Sequence, residues 1–386
     1  MIKYFKIFLI NFIILYFFLY LFEIFINYKD NKLFQKTRLY YLNKASNNKE
    51  NKVYLNFGSY KLLDEKQNSI LPLSGYENSK ILLCLDEKNK PIYFMSDENG
   101  FNNKNYIKHN DFLLIGDSYV QGICVNNNSN LNAELSKKNF KSTSLGVIGN
   151  GPLLEYAAFK EYESDYEYQN LVLFITPDND FYDLSKEIEN KFLIKYLEKS
   201  NFKQNLKSKK NKEEKITILD NFFGNKTVRF ADDILSVYHF NLKQVGKLIE
   251  KIFKKKRQDN ITYSYLYNNK IDDVLLKIIN KIFEVTKEKN ISFYIVFNST
   301  TPDILFSSEK KNIEYQSILF KKISNIKNYL KSKDIKYFDF NEYLKENYNS
   351  QNINEIFKKI DNRWDHYTEK GYNILSKKII NLINHE

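Results

Sequence analysis

The chain has 386 residues, of which 43% are hydrophobic, and a formal net charge of +12. This length and apolar content allow one large buried core or two modest ones. Four of the 59 basic residues are arginine and the lysines are scattered, whereas nucleic-acid recognition favours arginine for bidentate contacts; the composition therefore argues against a nucleic-acid partner.

The first feature in chain order is a nearly unbroken apolar stretch over residues 7–26, in which Glu23 is the one charge. A helix of about twenty apolar residues is long enough to cross a bilayer. No small-residue cleavage site follows it, which favours an uncleaved anchor in residues 1–29 over a signal peptide. Lys3 and Lys6 precede the stretch, and they favour a periplasmic or other extracytoplasmic body, although basic residues that follow the stretch favour the reverse.

Residues 30–110 are predicted to be a tether followed by a small β-rich lead-in. Short apolar or alternating stretches at residues 53–55, 81–85 and 92–95 are separated by polar, turn-forming residues. Cys84 and Cys124 lie in neither a CxxC pair nor a histidine cluster, so no metal site is predicted. Two possibilities stay open for them, one disulfide in an extracytoplasmic body or two buried free thiols.

From residue 111 onward, predicted strands alternate with amphipathic helices. The strand candidates are residues 112–115, 142–145, 171–176, 292–297 and 336–340, and the helices between them include residues 131–138, 152–162 and 271–287. Such alternation predicts an α/β fold with three layers, α/β/α, around a mostly parallel five-stranded sheet. The lysine-rich segment near 185–260 is interpreted as a helical insertion that caps the site.

The tripeptide Gly116-Asp117-Ser118 directly follows the first strand of this region. A serine at the carboxyl edge of a sheet is exposed and sterically free, as a nucleophile must be. The ordinary interpretation is a helix N-cap, since Asp and Ser are both good caps. The choice between the two depends on what else reaches the same edge.

Three further segments supply the other groups that acyl transfer needs. Gly149 lies in a glycine-rich turn after the second strand, Asn179 follows the third strand, and His366 precedes the final helix. A nucleophile requires a base within hydrogen-bond reach and donors aimed at the developing oxyanion. Each residue alone has an ordinary structural explanation, but their joint order favours catalysis with Ser118 as nucleophile and His366 as base.

These blocks resemble the SGNH hydrolases, also called the GDSL family. Ser118 matches the serine, Gly149 the glycine, Asn179 the asparagine and His366 the histidine of its four motifs. The resemblance covers residues 111–386 and implies a three-layer α/β/α fold with a flavodoxin-like strand order. It also implies an acyl-ester substrate, no cofactor, and an oxyanion hole made by the Ser118 amide, the Gly149 amide and the Asn179 side chain.

This chain departs from the family in the position of the acidic residue that orients the histidine. Members often have Asp three residues before the histidine, and those linked to surface polysaccharides have it two residues before. Here these positions are Arg363 and Trp364. The third triad member is therefore Asp365, Asp361 or none, with a Ser–His dyad as the last case.

The sequence thus predicts a membrane-anchored serine esterase-type hydrolase, acting on an acyl ester such as the O-acetyl groups of an envelope glycan. One alternative is an O-acyltransferase that uses the same residues with a sugar hydroxyl as acceptor. Another alternative is a non-catalytic glycan-binding or assembly protein. This alternative is favoured by the two acidic residues that flank Asn179, which are Asp178 and Asp180.

Overall fold

The structure is a computed structural model that describes residues 2–35, 53–63, 70–86, 90–104, 108–235, 264–306, 310–360 and 363–384, with single positions 242, 245, 246, 248, 249 and 308. It divides into two compact units. One comprises Met1–Asn51 with Ile218–Thr262, and the other comprises Lys52–Thr217 with Tyr263–Glu386.

The N-terminal helix, α1, spans Ile2–Gln35. Its segment Lys3–Ile26 is long and apolar enough to cross a membrane, a property that signal sequences share. Glu23 is fully buried, and its carboxylate accepts a hydrogen bond of 2.8 Å from the Val245 amide. This bond gives a partner to the one carboxylate of the apolar stretch, where an unsatisfied charge would be costly.

A three-stranded sheet opens the larger unit, with strands β1 (Val53–Leu55), β2 (Lys80–Leu85) and β3 (Pro91–Met95) in that order. β1 runs parallel to β2 and β2 antiparallel to β3. Cys84 on β2 forms a disulfide with Cys124, their Cα atoms 5.5 Å apart, which answers the question that the sequence left open. The division into anchor, lead-in and main domain stays a prediction.

The main sheet is five-stranded and entirely parallel, in the order β5-β4-β6-β7-β8. This confirms the predicted α/β class and the flavodoxin-like strand order. The strands are β4 (His109–Ile115), β5 (Ser142–Ser144), β6 (Glu167–Ile175), β7 (Ser292–Phe297) and β8 (Lys336–Asp339).

The last predicted strand, at residues 336–340, ends one residue early in the structure. Asp339 caps the following helix, because its Oδ1 accepts hydrogen bonds from the amides of Asn341 and Glu342. Phe340 therefore begins a helix instead of ending a strand.

Helices cover both faces of the sheet, as a parallel sheet requires. The helices that follow α1 are, in chain order, α2 (Ser118–Gln121), α3 (Leu131–Ser136), α4 (Pro152–Tyr162), α5 (Pro177–Glu187), α6 (Lys195–Glu198), α7 (Lys209–Leu235), α8 (Asn269–Glu288), α9 (Pro302–Leu305), α10 (Lys310–Ser332), α11 (Phe340–Asn347) and α12 (Glu369–Asn384). Short 3₁₀ turns occupy Ser59–Leu62, Glu163–Asp165, Ser264–Tyr267 and Ile353–Glu355.

On one face of the sheet, Leu114, Val172 and Val296 pack in a single apolar cluster with Leu135 of α3 and Leu375 of α12. The alternate strand residues Leu113, Leu171 and Ile295 are also fully buried. An antiparallel hairpin of β9 (Phe357–Ile360) and β10 (Arg363–Tyr367) precedes α12.

The predicted insertion near 185–260 contains α6 and α7, and most of residues 236–263 lie outside the described residues. Its role as a cap over the site stays a prediction. The predicted helix at 152–162 coincides with α4, and the one at 131–138 is two residues longer than α3.

Candidate active site

Ser118 lies at the carboxyl end of β4, as the first residue of α2. The preceding Asp117 is the N-cap, and its Oδ1 accepts a hydrogen bond of 2.9 Å from the Tyr119 amide. Only 5% of the Ser118 surface is exposed. The N-cap and the candidate nucleophile, which the sequence offered as alternatives, are thus two adjacent residues: Asp117 caps the turn and leaves the Ser118 hydroxyl available.

His366 reaches this serine from the other end of the chain. The His366 Nε2 atom lies 2.6 Å from Ser118 Oγ, although 248 positions separate the two residues. A ring nitrogen at this distance can accept the hydroxyl proton when the imidazole proton is on Nδ1. The predicted meeting of these two side chains is therefore observed in the structure.

Aromatic packing holds the histidine in place. The Tyr119 ring lies 4.6 Å from the His366 ring and 4.6 Å from the Tyr367 ring, centroid to centroid. The Tyr372 hydroxyl donates a 2.8 Å hydrogen bond to the Tyr119 carbonyl. Since Tyr367 and Tyr372 are fully buried, the end of β10 is fixed against the turn that carries Ser118.

Asn179 lies in the first turn of α5, directly beyond β6. Its Nδ2 donates a 3.1 Å hydrogen bond to Asp117 Oδ2, which joins the third motif to the first. An amide nitrogen carries two hydrogens, so the bond to Asp117 orients Asn179 and leaves a second donor for a ligand. Burial raises the pKa of Asp117, and nearby hydrogen bonds and His366 oppose that rise.

Gly149 lies in the turn between β5 and α4, with a φ of +69°. A Cβ added there would lie 2.4 Å from the Tyr60 ring, so both the backbone conformation and the available space require glycine. The turn approaches the nucleophile segment through a 3.4 Å hydrogen bond from the Val147 amide to the Gly116 carbonyl. The predicted glycine block is therefore next to the serine block.

The third triad member is not identified by the described side chains. Asp361 and the side chain of Asp365 lie outside the described residues. A carboxylate that the sequence interpretation did not use for catalysis, Asp178, lies close enough to interact electrostatically with His366 and Asp117. Burial raises its pKa to about 6, and its Oδ2 accepts a 3.2 Å hydrogen bond from the Thr301 amide.

The other histidines do not compete for the role of base among the described residues. His109 begins β4, at the opposite end of that strand from Ser118, and it pairs with Glu167. His239 and His385 lie outside the described residues. The signals that identified His366 were its position ahead of the last helix, in a chain with four histidines, and its match to the histidine motif of the family that the sequence resembles.

No protein-family model and no curated protein matches this chain. Among solved structures, it is similar to a proposed lipolytic protein of the G-D-S-L family from Desulfitobacterium hafniense, with 10% identity, a TM-score of 0.37, and coverage of 72% of this chain and 99% of that one. It is also similar to a proposed acylhydrolase from Bacteroides fragilis, with 11% identity, a TM-score of 0.34, and coverage of 72% and 87%. Both names fit the family that the sequence resembles. Similarity at these TM-scores carries no argument about chemistry. The chemistry of the site is therefore argued from the side chains of this chain alone.

Proposed function

We propose that this chain is a serine esterase-type hydrolase that acts on an acyl ester, with Ser118 as nucleophile and His366 as base. The observation that carries the proposal is the 2.6 Å distance between Ser118 Oγ and His366 Nε2. Two residues far apart in sequence, at the carboxyl edge of a parallel sheet, form the pair that nucleophilic catalysis needs.

In the proposed reaction, Ser118 Oγ attacks the ester carbonyl while His366 Nε2 takes the hydroxyl proton. The imidazolium then gives this proton to the leaving alkoxide, which departs as an alcohol and leaves an acyl-serine. Water, deprotonated by the same histidine, hydrolyses the acyl-serine and releases the acid. The Ser118 amide, the Gly149 amide and the Asn179 side chain are the proposed donors to the oxyanion.

The histidine must hold its proton on Nδ1 for this cycle, and a carboxylate would fix that tautomer. Asp365 is the candidate that the sequence offers, with Asp361 and a simple Ser–His dyad as the others. Asp178 supplies negative charge near His366, so a dyad would still have an acidic neighbour that stabilises the imidazolium.

We further propose that α1 anchors the enzyme in a membrane with its body outside the cytoplasm. The length and composition of Lys3–Ile26 support a single membrane span. The disulfide between Cys84 and Cys124 supports an extracytoplasmic body, because such bonds persist in oxidising compartments. An O-acetylated envelope glycan is the substrate to test first, on the resemblance to polysaccharide-linked family members.

The test is to treat the full chain with a fluorophosphonate probe and a short-chain aryl ester. We expect the probe to label Ser118, and Ser118→Ala to lower turnover by about 10⁴-fold or more. Ser136→Ala is the matched control, since Ser136 is an exposed serine on α3, and it should leave both signals unchanged. Turnover in Ser118→Ala equal to that of the wild type would refute the proposal.

The same assay separates the alternatives. A sugar acceptor that captures the acyl group in competition with water would identify an O-acyltransferase. Absence of labelling, together with glycan binding that survives Ser118→Ala, would identify a non-catalytic member.

A further inference from the structure

Four carboxylic acids, three of them buried and Asp183 half-buried, lie close to one another beside the candidate site. They are Glu155 on α4 and Asp180, Asp183 and Glu187 on α5. Glu155, Asp180 and Glu187 are at most 1% exposed. The proposed reaction uses none of them.

The polar atoms of this group lack partners to an unusual degree. Among the described residues, ten buried side-chain polar atoms have no hydrogen-bond partner. Four of them belong to these acids, namely Glu155 Oε1 and Oε2, Asp180 Oδ1 and Asp183 Oδ2, and two more are Nδ2 and Oδ1 of Asn150, the residue before Gly151. Two ionised carboxylates cannot bond to each other, whereas a protonated carboxyl donates to its neighbour. Protons on these acids would therefore supply donors that the ionised groups lack.

Carboxylate oxygens of Glu187 and Asp180 accept hydrogen bonds from backbone amides of two loops at the candidate site. Glu187 accepts 2.7 Å and 2.8 Å hydrogen bonds from the amides of Gly151 and Leu153, just after the Gly149 turn. Asp180 Oδ2 accepts a 2.7 Å hydrogen bond from the Thr176 amide, just before Asn179. The same acids thus fix the two segments that carry the proposed oxyanion donors.

Close packing adds to this connection. A Cβ on Gly151 would lie 2.7 Å from Asp183 Cβ and 2.9 Å from Glu187 Oε1. The loop that contains Asn150 therefore rests directly on α5, with no space for movement toward it. A change in the charge of Asp183 or Glu187 on α5 would therefore change the electrostatic force on this loop.

The charges that act on the four acids are mainly negative. Burial and then neighbouring carboxylates raise the pKa of Asp183 to about 8, and burial raises that of Glu187 to about 7. Burial, followed by the other acids and Asp117, also raises the pKa values of Glu155 and Asp180. His366, from β10, acts on Asp117.

Three lysines on the surrounding helices make contacts away from the four acids. Lys186 of α5 lies over the Tyr182 ring, Lys160 of α4 bonds to the Ser200 carbonyl and faces Lys281 of α8, and Lys322 of α10 pairs with Asp272. Within the described part of the chain, none of these lysines pairs with the four acids.

We propose that Glu155, Asp180, Asp183 and Glu187 form a proton-sharing cluster that positions the Gly149 turn and Asn179 for oxyanion binding. The residues are positioning residues, because they act through the two segments they hold and touch no substrate. When the cluster loses its protons, adjacent negative charges repel one another and the donors move out of place. The inference deepens the proposed esterase function and depends on it for its effect on turnover.

The test is the pH dependence of kcat and KM for Asp183→Asn and Glu155→Gln, which replace a carboxyl by a neutral amide of the same shape. We expect wild-type kcat to fall on the alkaline side, and each variant to extend activity by about one pH unit or more. Glu189→Gln is the matched control, an exposed acid just beyond α5, and it should follow the wild type. An unchanged alkaline limb, or an equal loss at every pH, would overturn the proposal.

Infrared difference spectra of the wild-type chain provide a measurement that needs neither activity nor a stable variant. A carboxylic-acid C=O band should be present at neutral pH and disappear as the pH is raised, and part of it should be absent in Glu155→Gln. Absence of the band contradicts the cluster, whereas its presence in a chain that no probe labels contradicts only the esterase proposal. Loss of thermal stability on adding EDTA would show that a metal ion, not protons, neutralises the acids, and would also overturn the inference.

Discussion

Two histidines, at opposite ends of β4, make contacts of nearly equal length with different consequences. His109 Nδ1 lies 2.7 Å from Glu167 Oε2, and the two side chains are 72% and 58% exposed. At the other end, His366 Nε2 lies 2.6 Å from Ser118 Oγ, and only 5% of Ser118 is exposed.

The difference teaches that distance alone does not identify a catalytic histidine. Water and salt screen the exposed pair at the amino end of the strand, so its net interaction is small. At the carboxyl end, the Tyr119 ring packs against the imidazole, and Asn179 and the Gly149 turn are hydrogen-bonded to the segment that carries Ser118. Burial and the direction of the parallel strands distinguish the candidate active site from an ordinary surface ion pair.

The largest effect that this comparison predicts is on turnover. His366→Ala should lower kcat/KM for a short-chain aryl ester by about 10³-fold to 10⁴-fold, because Ser118 loses its base. His109→Ala, a matched change at the other end of β4, should leave kcat/KM within about twofold, since a surface substitution away from the site has little effect. Equal losses in the two variants would remove the distinction between the two ends.

The sequence predicted the frame of the site because strand alternation and edge position are local properties. The α/β class and the position of Ser118 at a strand end followed from patterns within short windows, whereas the strand order and the pairing of His366 with Ser118 followed from the family resemblance and its motifs. The sequence did not predict the cluster of Glu155, Asp180, Asp183 and Glu187, because their burial depends on how α4 and α5 pack against each other. Asp178 was noticed only as a neighbour of Asn179, since no local pattern shows that it lies near His366.

Removal of the disulfide is expected to have the next largest effect, which is a loss of free energy of unfolding. It links β2 to the segment just after α2, across a separation of 40 residues. Closing a loop of that length stabilises the fold by about 4 kcal/mol in the chain-entropy account. The double variant Cys84→Ala, Cys124→Ala should lose about that much free energy of unfolding in urea, and dithiothreitol should affect the wild type but not the variant. If dithiothreitol leaves the wild type unchanged, the bond contributes nothing here.

Removal of an oxyanion donor should have a smaller effect than removal of the base. Asn179→Ala should lower kcat by about 10²-fold to 10³-fold with little change in KM, because its amide is needed only as the oxyanion develops. Asn347→Ala is a suitable control, since Asn347 is exposed and its side-chain amide donates a hydrogen bond to the Tyr343 carbonyl of its own helix. A rise in KM with an unchanged kcat would instead assign Asn179 to ground-state binding.

The raised carboxyl pKa values predict how stability changes with pH. Burial raises the folded-state pKa of Asp178 to about 6, of Glu187 to about 7 and of Asp183 to about 8, so the folded chain holds protons that the unfolded chain releases. Their contribution to stability is complete in acid and is lost as the pH rises through this range. The melting temperature of the wild type should fall more steeply over that interval than that of Asp183→Asn. Parallel curves would show that Asp183 is ionised throughout.

The smallest effect is expected where the contact is most exposed, at the amino end of β4. Glu167→Gln removes the charge that His109 faces, and the neighbouring Lys108 pairs with the same carboxylate. These groups lie in water, where salt screens their attraction and side-chain entropy opposes it. We therefore expect no resolvable change in melting temperature or in kcat, at low or high salt. A clear loss of stability at low salt would show that the exposed pair holds the strand, and the contrast between the two ends would then be one of degree.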